Sequence, residues 1–195
     1  MPDKSIKKGY QDNHVLSPKG CERAYALIGY FQHRHEMLRL FEKRPLKAVF
    51  AQDVDSGKDP WGRSERPKQT LQPFVESIKF NLNLNDGTSK CHFDSDEITF
   101  DAYPKKSIRD MLDKIKSIEF NDKSVIVSWS HEQMVDIPGM LGVDPSLVPK
   151  IWDKKRFDVT WIVERESSGR CTFTQLPQRL LYGDLDTVID VESLN

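Results

Sequence analysis

Short apolar runs alternate with segments of helical periodicity along this chain, and this alternation restricts the fold more than any other feature. Helical spacing of apolar residues follows Ser17-Pro18, Glu65 and Pro104. Strand-like runs occupy residues 46–51, 80–84, 124–129, 157–163 and 171–175. Strands that alternate with helices form a mostly parallel sheet with helices on both faces. We therefore predict a three-layer α/β/α fold, with the last two runs paired as a hairpin around residues 167–169.

The boundaries of the elements follow from local signals. Residues 1–14 are polar and lack periodicity, which predicts a flexible leader before a single domain over residues 15–195. A serine cap and a proline at the first helical position predict a helix from Ser17 to about Glu42. We also predict a kink at Pro73 and a short helix around residues 138–141 that Gly142 ends. Residues 85–103 follow no pattern.

Composition excludes several classes of partner. The 195 residues hold 29 Lys and Arg against 30 Asp and Glu, so no net positive charge attracts the chain to nucleic acid. No apolar run reaches the ~18 residues of a membrane span, and the first fifteen residues do not resemble a secretory signal. The cysteines, Cys21, Cys91 and Cys171, are few and far apart. We expect free thiols and a cytoplasmic location.

His131 is the first candidate site residue. It follows the run Ser124–Trp129, the most strand-like in the chain, and precedes the helix predicted around residues 138–141. This position places the imidazole at the carboxyl edge of the sheet, where open α/β folds bind ligands. His131 could bind an anion or transfer a proton; a loop histidine with a structural hydrogen bond is the alternative.

Arg63 and Arg66 are the second candidate. They lie beside a predicted helix start after a buried strand, and the guanidinium group matches the oxygens of phosphate or carboxylate. A solvated charged turn is the alternative.

Other polar groups are weaker candidates. His33 and His35 are two positions apart on a predicted helix, and we expect them to face solvent. The acidic residues Asp94, Asp96 and Glu97 lack the spacing of a calcium loop, and Ser168 lacks the surroundings of a serine nucleophile. We expect no metal and no cofactor.

Four groups of segments stand in the order and spacing of a known family. The first group is HVLSPKG at residues 14–20 with ERA at 22–24, and the second is KAVFA at 47–51 with SERPKQT at 64–70. The third is VIVSWSH at 125–131. The fourth is RFDV at 156–159 with LPQRLL at 176–181 and GD at 183–184. Together they resemble the histidine phosphatase superfamily, in a small bacterial and fungal branch with the phosphoglycerate-mutase-like fold. By this resemblance, Arg66 matches the family's second phosphate-binding arginine and His131 its second active-site histidine.

One part of the family pattern is absent from this sequence. The resemblance implies an R-H-G motif at the end of a first, central strand, whose histidine is the phosphorylated nucleophile, and nothing here matches it. Arg34-His35-Glu36 is no substitute, because it lies in the predicted first helix. Either the protein is a degenerate member or the chain lacks part of the ancestral sequence at its start. The sheet must then lose a strand or close the gap in another way.

The absence of an R-H-G motif from this sequence determines the function that we expect. Without the nucleophile, we expect a phosphatase-fold protein that is inactive or weak as a phosphomonoesterase. Arg66, Arg63 and His131 would keep a reduced site for a small phosphate- or carboxylate-bearing molecule. The alternatives are an active phosphatase or mutase-like enzyme, a member recruited to small-metabolite chemistry, and an interaction domain without a pocket. The sequence does not indicate the oligomeric state.

Overall fold

The computed structural model describes residues 14–55, 63–83, 93, 97–166 and 168–191, with only the backbone for 81–83. The predicted leader lies outside these residues except for His14. The α-helices are α1 (Pro18–His33), α2 (His35–Lys43), α3 (Arg66–Asn83), α4 (Ile108–Ile115), α5 (His131–Met134) and α6 (Ile137–Leu141). The strands are β1 (Leu46–Asp53), β2 (Thr99–Pro104), β3 (Ser124–Ser128), β4 (Val159–Arg165) and β5 (Cys171–Pro177). Short 3-10 turns cover Lys105–Ser107, Ile118–Phe120 and Pro145–Leu147.

The main sheet is parallel, and β1 is its central strand. Its strand order is β2-β1-β3, with Phe50 of β1 opposite Asp101 of β2 on one side and Val127 of β3 on the other. Residues 48–52 of β1 are fully buried, as expected for a strand covered on both faces. The predicted three-layer α/β/α architecture is confirmed.

The hairpin β4-β5 forms a second, antiparallel sheet. Both sheets pack against one apolar cluster, which includes Leu27, Phe31 and Phe74 from α1 and α3. Ile126 of β3 and Ile162 of β4 contact this same cluster. Among the described residues, the two sheets therefore share one helical layer without a strand that joins them.

The first helix is interrupted, which corrects the prediction of a helix to Glu42. Ser17 caps α1 as expected, because its side chain accepts a hydrogen bond from the Gly20 N–H. The backbone becomes extended at Arg34, with φ −71° and ψ 128°, and α2 begins at the next residue. The Arg34 guanidinium donates to the carbonyls of Pro177 and Gln178 at 3.0 and 2.7 Å. These contacts with the end of β5 give the break a tertiary cause.

Two further predictions on secondary structure are wrong. Residues 80–83 belong to α3, which continues through Pro73, and not to a strand. A short apolar alternation does not distinguish a strand from the end of a helix. The third helix, predicted from Pro104, begins one residue later with the 3-10 turn Lys105–Ser107, which continues directly into α4 at Ile108, because Pro104 is the last residue of β2. Among the described residues this strand pairs on one side only, and it includes the charged Asp101, so its sequence shows no continuous apolar run.

The remaining elements agree with the sequence. The runs at 46–51 and 124–129 form β1 and β3, and the last two runs form the hairpin β4-β5. Gly142 ends α6 with φ 101°, a left-handed conformation that glycine adopts without a steric cost.

Candidate anion-binding site at the carboxyl ends of the strands

A cavity of about 2100 Å³ lies between β3 and β4, and we call it the inter-sheet cavity. All residues of both strands line it. Its volume exceeds the roughly 300–1,000 Å³ of an ordinary small-molecule pocket. Arg66 and His131 both line it and Arg63 does not, although the side chains of Arg66 and Arg63 are both exposed. The structure thus brings two of the three predicted site residues to one cavity.

His131 is held at the carboxyl end of β3 by the residues around it. Trp129 is buried, and its indole N–H donates to Gln133 Oε1 at 2.7 Å. The backbone N–H of Ser130 donates to Oε1 of Gln52, which lies at the end of β1, at 3.1 Å. His131 then begins α5, so the turn that presents it is tied to the central strand.

Several buried polar atoms at this edge have no hydrogen-bond partner among the described residues. They are Nε2 of Gln52, Oδ1 of Asp55, Oγ of Ser130 and Nε2 of His131. An unsatisfied buried polar group costs about 1–3 kcal/mol, so such a group is a candidate for binding a ligand. Gln52, Ser130 and His131 line the inter-sheet cavity, and Asp55 does not. The three lining residues supply donors for an anion.

Arg66 is fixed at the start of α3 by the segment before α1. Its Nε donates to the carbonyl of Val15 at 3.0 Å. The same segment is held on α3 by bonds from the Glu65 N–H to the carbonyl of His14 and from the Leu16 N–H to Oε1 of Gln69, both 2.8 Å. The terminal nitrogens of Arg66 have no partner among the described residues, and they can bind an anion.

The charge around the inter-sheet cavity differs from that of the whole chain. Its described lining holds eleven Lys and Arg residues against seven Asp and Glu, whereas the chain has a net charge of −1. Lys154 and Lys155 are exposed on this lining. The hydrogen bond from Lys105 holds the pKa of Glu132 below its usual value. This neighbour of His131 is therefore ionised, and the positive charge of Lys105 compensates its negative charge. The excess positive charge favours an anionic ligand.

Of the other polar groups considered from sequence, those that the structure describes do not line the inter-sheet cavity. His33 and His35 are exposed, which confirms that they face solvent. Ser168 is exposed in the turn of the hairpin. Asp94 and Asp96 lie outside the described residues, as does Cys91, while Cys21 and Cys171 are free thiols. In the part of the chain that the structure describes, no group of three His, Cys, Asp or Glu could hold a metal ion.

Gln52 and Ser130 are site residues that sequence reasoning missed. Gln52 is fully buried although it is polar, and it follows the apolar residues of β1. A polar residue at the carboxyl end of a buried strand was the available signal, because parallel strands end at the same edge of the sheet. Without the strand order, nothing indicated that Gln52 and Ser130 are neighbours.

A buried ion pair closes the side of the inter-sheet cavity near α1. The Arg23 guanidinium donates to both carboxylate oxygens of Asp184, and also to Oε1 of Gln178 at 3.1 Å. The backbone N–H groups of Leu180 and Leu181 donate to Asp184 as well, at 2.8 and 3.0 Å. The bonds from Arg23 lower the pKa of Asp184 to about 2. Arg23 is thus engaged with Asp184. The guanidinium group of Arg66 has fewer hydrogen-bond partners among the described residues than that of Arg23, and it is freer to bind a ligand.

Comparison of the chain with protein-family models, with curated proteins and with solved structures gave no match. Among the helices in the described residues, none has the length and apolar character required to cross a membrane.

Proposed function

We propose that the protein binds a small phosphate- or carboxylate-bearing molecule at the carboxyl ends of β1 and β3, through Arg66 and His131. The observation that carries the proposal is the buried Nε2 of His131, which has no partner among the described residues and lies on the same cavity as Arg66. A neutral imidazole with its proton on Nε2, or an imidazolium, donates a hydrogen bond from this atom to an anion oxygen.

Each side chain has a distinct role in this proposal. Arg66 supplies the permanent positive charge, and its two terminal nitrogens can bind two oxygens of one anion. His131 supplies a directed donor from a half-buried position. Gln52 adds the amide Nε2, which lacks another partner in the described chain. Three donors on one cavity suit an anion with several oxygens.

The resemblance to the histidine phosphatase superfamily supports the same ligand class. It assigns phosphate contacts to Arg66 and His131, and it also implies a nucleophilic histidine that this sequence does not supply. We therefore propose a phosphatase-fold protein that binds phosphate or carboxylate and turns over phosphomonoesters weakly or not at all. A cytoplasmic location is part of the proposal, and it fits the free thiols of Cys21 and Cys171.

Thermal unfolding in inorganic phosphate tests the proposed binding. For a Kd near about 1 mM, about 10 mM phosphate stabilises the protein by about 1.4 kcal/mol, which is a few degrees in melting temperature. Arg66→Ala and His131→Gln should each abolish most of this shift. Arg63→Ala is the matched control, because Arg63 does not line the cavity, and it should keep the shift. No shift in the unmodified protein, or an equal loss in Arg63→Ala, would contradict the proposal.

A turnover assay tests the enzymatic part separately. We expect hydrolysis of a small chromogenic phosphate ester near background between about pH 5 and 8, since no residue of this sequence matches the nucleophilic histidine that the resemblance implies. Clear turnover that disappears in His131→Gln would instead establish an active phosphatase.

A further inference from the structure

A tight turn lies shortly before β4, and we call its residues 153–156 the lysine turn. The N–H of Arg156 donates to the carbonyl of Asp153 at 2.9 Å, which is the bond that closes a β-turn. The N–H of Lys155 donates to Oδ1 of the same aspartate, also at 2.9 Å. Lys154 and Lys155 are the two central residues, and both are exposed. The turn therefore presents two adjacent lysine side chains to solvent.

Buried contacts on both sides hold the lysine turn in place. The indole N–H of Trp152, a buried residue directly before the turn, donates to the carbonyl of Arg156 at 2.8 Å. Nε of Arg156 donates to Oδ1 of the buried Asp158 at 2.7 Å, so this cation is already paired. A charged group on ordered backbone loses less conformational freedom when it binds a ligand. The two lysines therefore project from a backbone that is ordered without a ligand.

The lysine turn lies beside the helix that carries His131. Trp152 belongs to a buried apolar cluster, and Met134 packs against this cluster. His131 and Met134 are the first and last residues of α5, which is a single helical turn. Lys154 and Lys155 also line the inter-sheet cavity together with His131. The lysine turn therefore borders the candidate anion-binding site.

The ammonium groups of the lysine turn are not used by the fold. Lys105 is paired with Glu132 at 2.8 Å, whereas neither Lys154 nor Lys155 forms an ion pair with a described residue. The hydrogen bond from Lys105 is the largest cause of the low pKa of Glu132, and the charge of Lys154 adds to it. Lys154 is therefore within electrostatic reach of the residue that follows the candidate histidine. Asp153, the acid of the turn, already accepts a backbone N–H.

Two exposed apolar side chains lie next to the lysine turn. Phe157 directly follows it, lines the inter-sheet cavity and is 63% exposed. Leu185 lines the same cavity and is 49% exposed, and its N–H donates to Oδ2 of Asp158, the residue after Phe157, at 2.7 Å. Apolar side chains around a few polar groups bind the carbon skeleton of a ligand. Their position favours an organic ligand over an inorganic anion.

We propose that the lysine turn is a second anion subsite, so that the ligand is a small organic molecule with two separate anionic groups. Arg66 and His131 bind one group, Lys154 and Lys155 bind the other, and Phe157 contacts the carbon skeleton between them. A lysine ammonium is a point charge on a flexible stem, so this subsite accepts anionic groups of different shapes. The inference rests on the proposed function, because it takes the first group to lie at Arg66 and His131.

Titration calorimetry with matched pairs of phosphonates tests the second subsite. Each pair is a linear alkylphosphonate of four, six or eight carbons and the bisphosphonate with a phosphonate at both ends of the same chain. At the length that fits best, the bisphosphonate should bind about tenfold more tightly than its partner. About twofold is statistical, because either end can occupy the first site, and about fivefold is the most that an exposed ion pair contributes. Sodium chloride at about 0.5 M should remove most of the fivefold part.

Variants test whether the second anionic group binds at the lysine turn. The double variant Lys154→Ala, Lys155→Ala should reduce the preference for the bisphosphonate to the statistical twofold, while the affinity for the monophosphonate stays within about twofold. Lys150→Ala is the matched control, because Lys150 is exposed on the same segment but does not line the inter-sheet cavity, and it should keep the preference. Phe157→Ala should weaken both members of a pair by about threefold and leave the affinity for inorganic phosphate unchanged.

Three results would overturn the second subsite. If the protein binds inorganic phosphate but prefers no bisphosphonate by more than twofold, the proposed function stands and the subsite does not exist. A preference that persists in the double lysine variant, or that is lost equally in Lys150→Ala, would mean that the second group binds elsewhere. If neither inorganic phosphate nor any phosphonate binds, the proposed function fails, and the subsite fails with it.

Discussion

The side-chain oxygen of Gln52 accepts the backbone N–H of Ser130 at 3.1 Å, and this bond joins the ends of the central strand and its neighbour. The bond fixes the residue directly before His131, and it leaves Nε2 of Gln52 without a partner in the described chain. Gln52 thus has two roles in our account: it positions the turn that carries His131, and it offers a donor to the ligand.

Gln52→Leu tests both roles. Leucine fills a similar volume without the amide, so phosphate affinity should fall about fivefold, as expected for one hydrogen bond worth about 1 kcal/mol. Gln72→Leu is the control, because Gln72 lies on the exposed side of α3 and its side chain bonds, among the described residues, to Glu76. Titration calorimetry with inorganic phosphate measures the change. Equal affinities for the two variants would exclude a role of Gln52 in binding.

The ion pair of Arg23 and Asp184 makes stability depend on pH in the acid range. The pKa of Asp184 is about 2 in the folded protein, below its ordinary value of 3.8. Because the pKa of Asp184 is lower in the folded than in the unfolded protein, the carboxylate stabilises the fold fully at pH values above the unfolded pKa. This stabilisation is lost as the pH falls toward 2. The contribution near pH 7 is about 2 kcal/mol. Asp184→Asn should therefore destabilise the protein by about 2–3 kcal/mol at pH 7, by urea unfolding, and by less below pH 4.

Asp186→Asn is the matched control for this experiment. Asp186 forms an ion pair with Arg179, but both side chains are largely exposed, at 78% and 58%. Exposed pairs contribute less than about 1 kcal/mol, so this variant should unfold close to the unmodified protein. A similar loss in both variants, or a loss in Asp184→Asn that does not change with pH, would refute the role given to Asp184.

Two glycines three positions apart should respond oppositely to alanine. Gly142 has φ 101°, a conformation that costs other residues roughly 1–2 kcal/mol, so Gly142→Ala should destabilise the protein by that amount. Gly139 lies within α6, and a Cβ there would meet no atom within 4 Å. Gly139→Ala should be neutral or stabilise by up to about 1 kcal/mol, because alanine favours helix. Denaturant unfolding compares the two, and equal effects would contradict the assigned helix end.

The sequence was most informative where local signals and tertiary packing agree. The buried runs of β1 and β3, the Ser17 cap and the Gly142 stop each have one local interpretation, and the structure confirms them. The α/β class followed from the order of these elements, because few arrangements bury alternating strands and helices.

The errors concern features that depend on distant contacts. The break at Arg34 is stabilised by carbonyls of Pro177 and Gln178, more than 140 positions away, which no local pattern reveals. β2 is an edge strand whose half-exposed residues lack a continuous apolar run. Within the candidate site, Arg66 and His131 could be identified from sequence because each follows a predicted strand and lies at or near the start of a predicted helix. Gln52 required the strand order before its neighbour could be identified.

The most direct test of our account follows the imidazole of His131 by NMR during a phosphate titration. We predict a saturable shift of its ring resonances with a Kd of about 1 mM. In Arg66→Ala the affinity for phosphate should fall at least tenfold or so, because in our account one anion contacts both side chains. The Arg63→Ala titration should match that of the unmodified protein. An imidazole that does not respond to phosphate, or that responds equally with and without Arg66, would contradict a shared site.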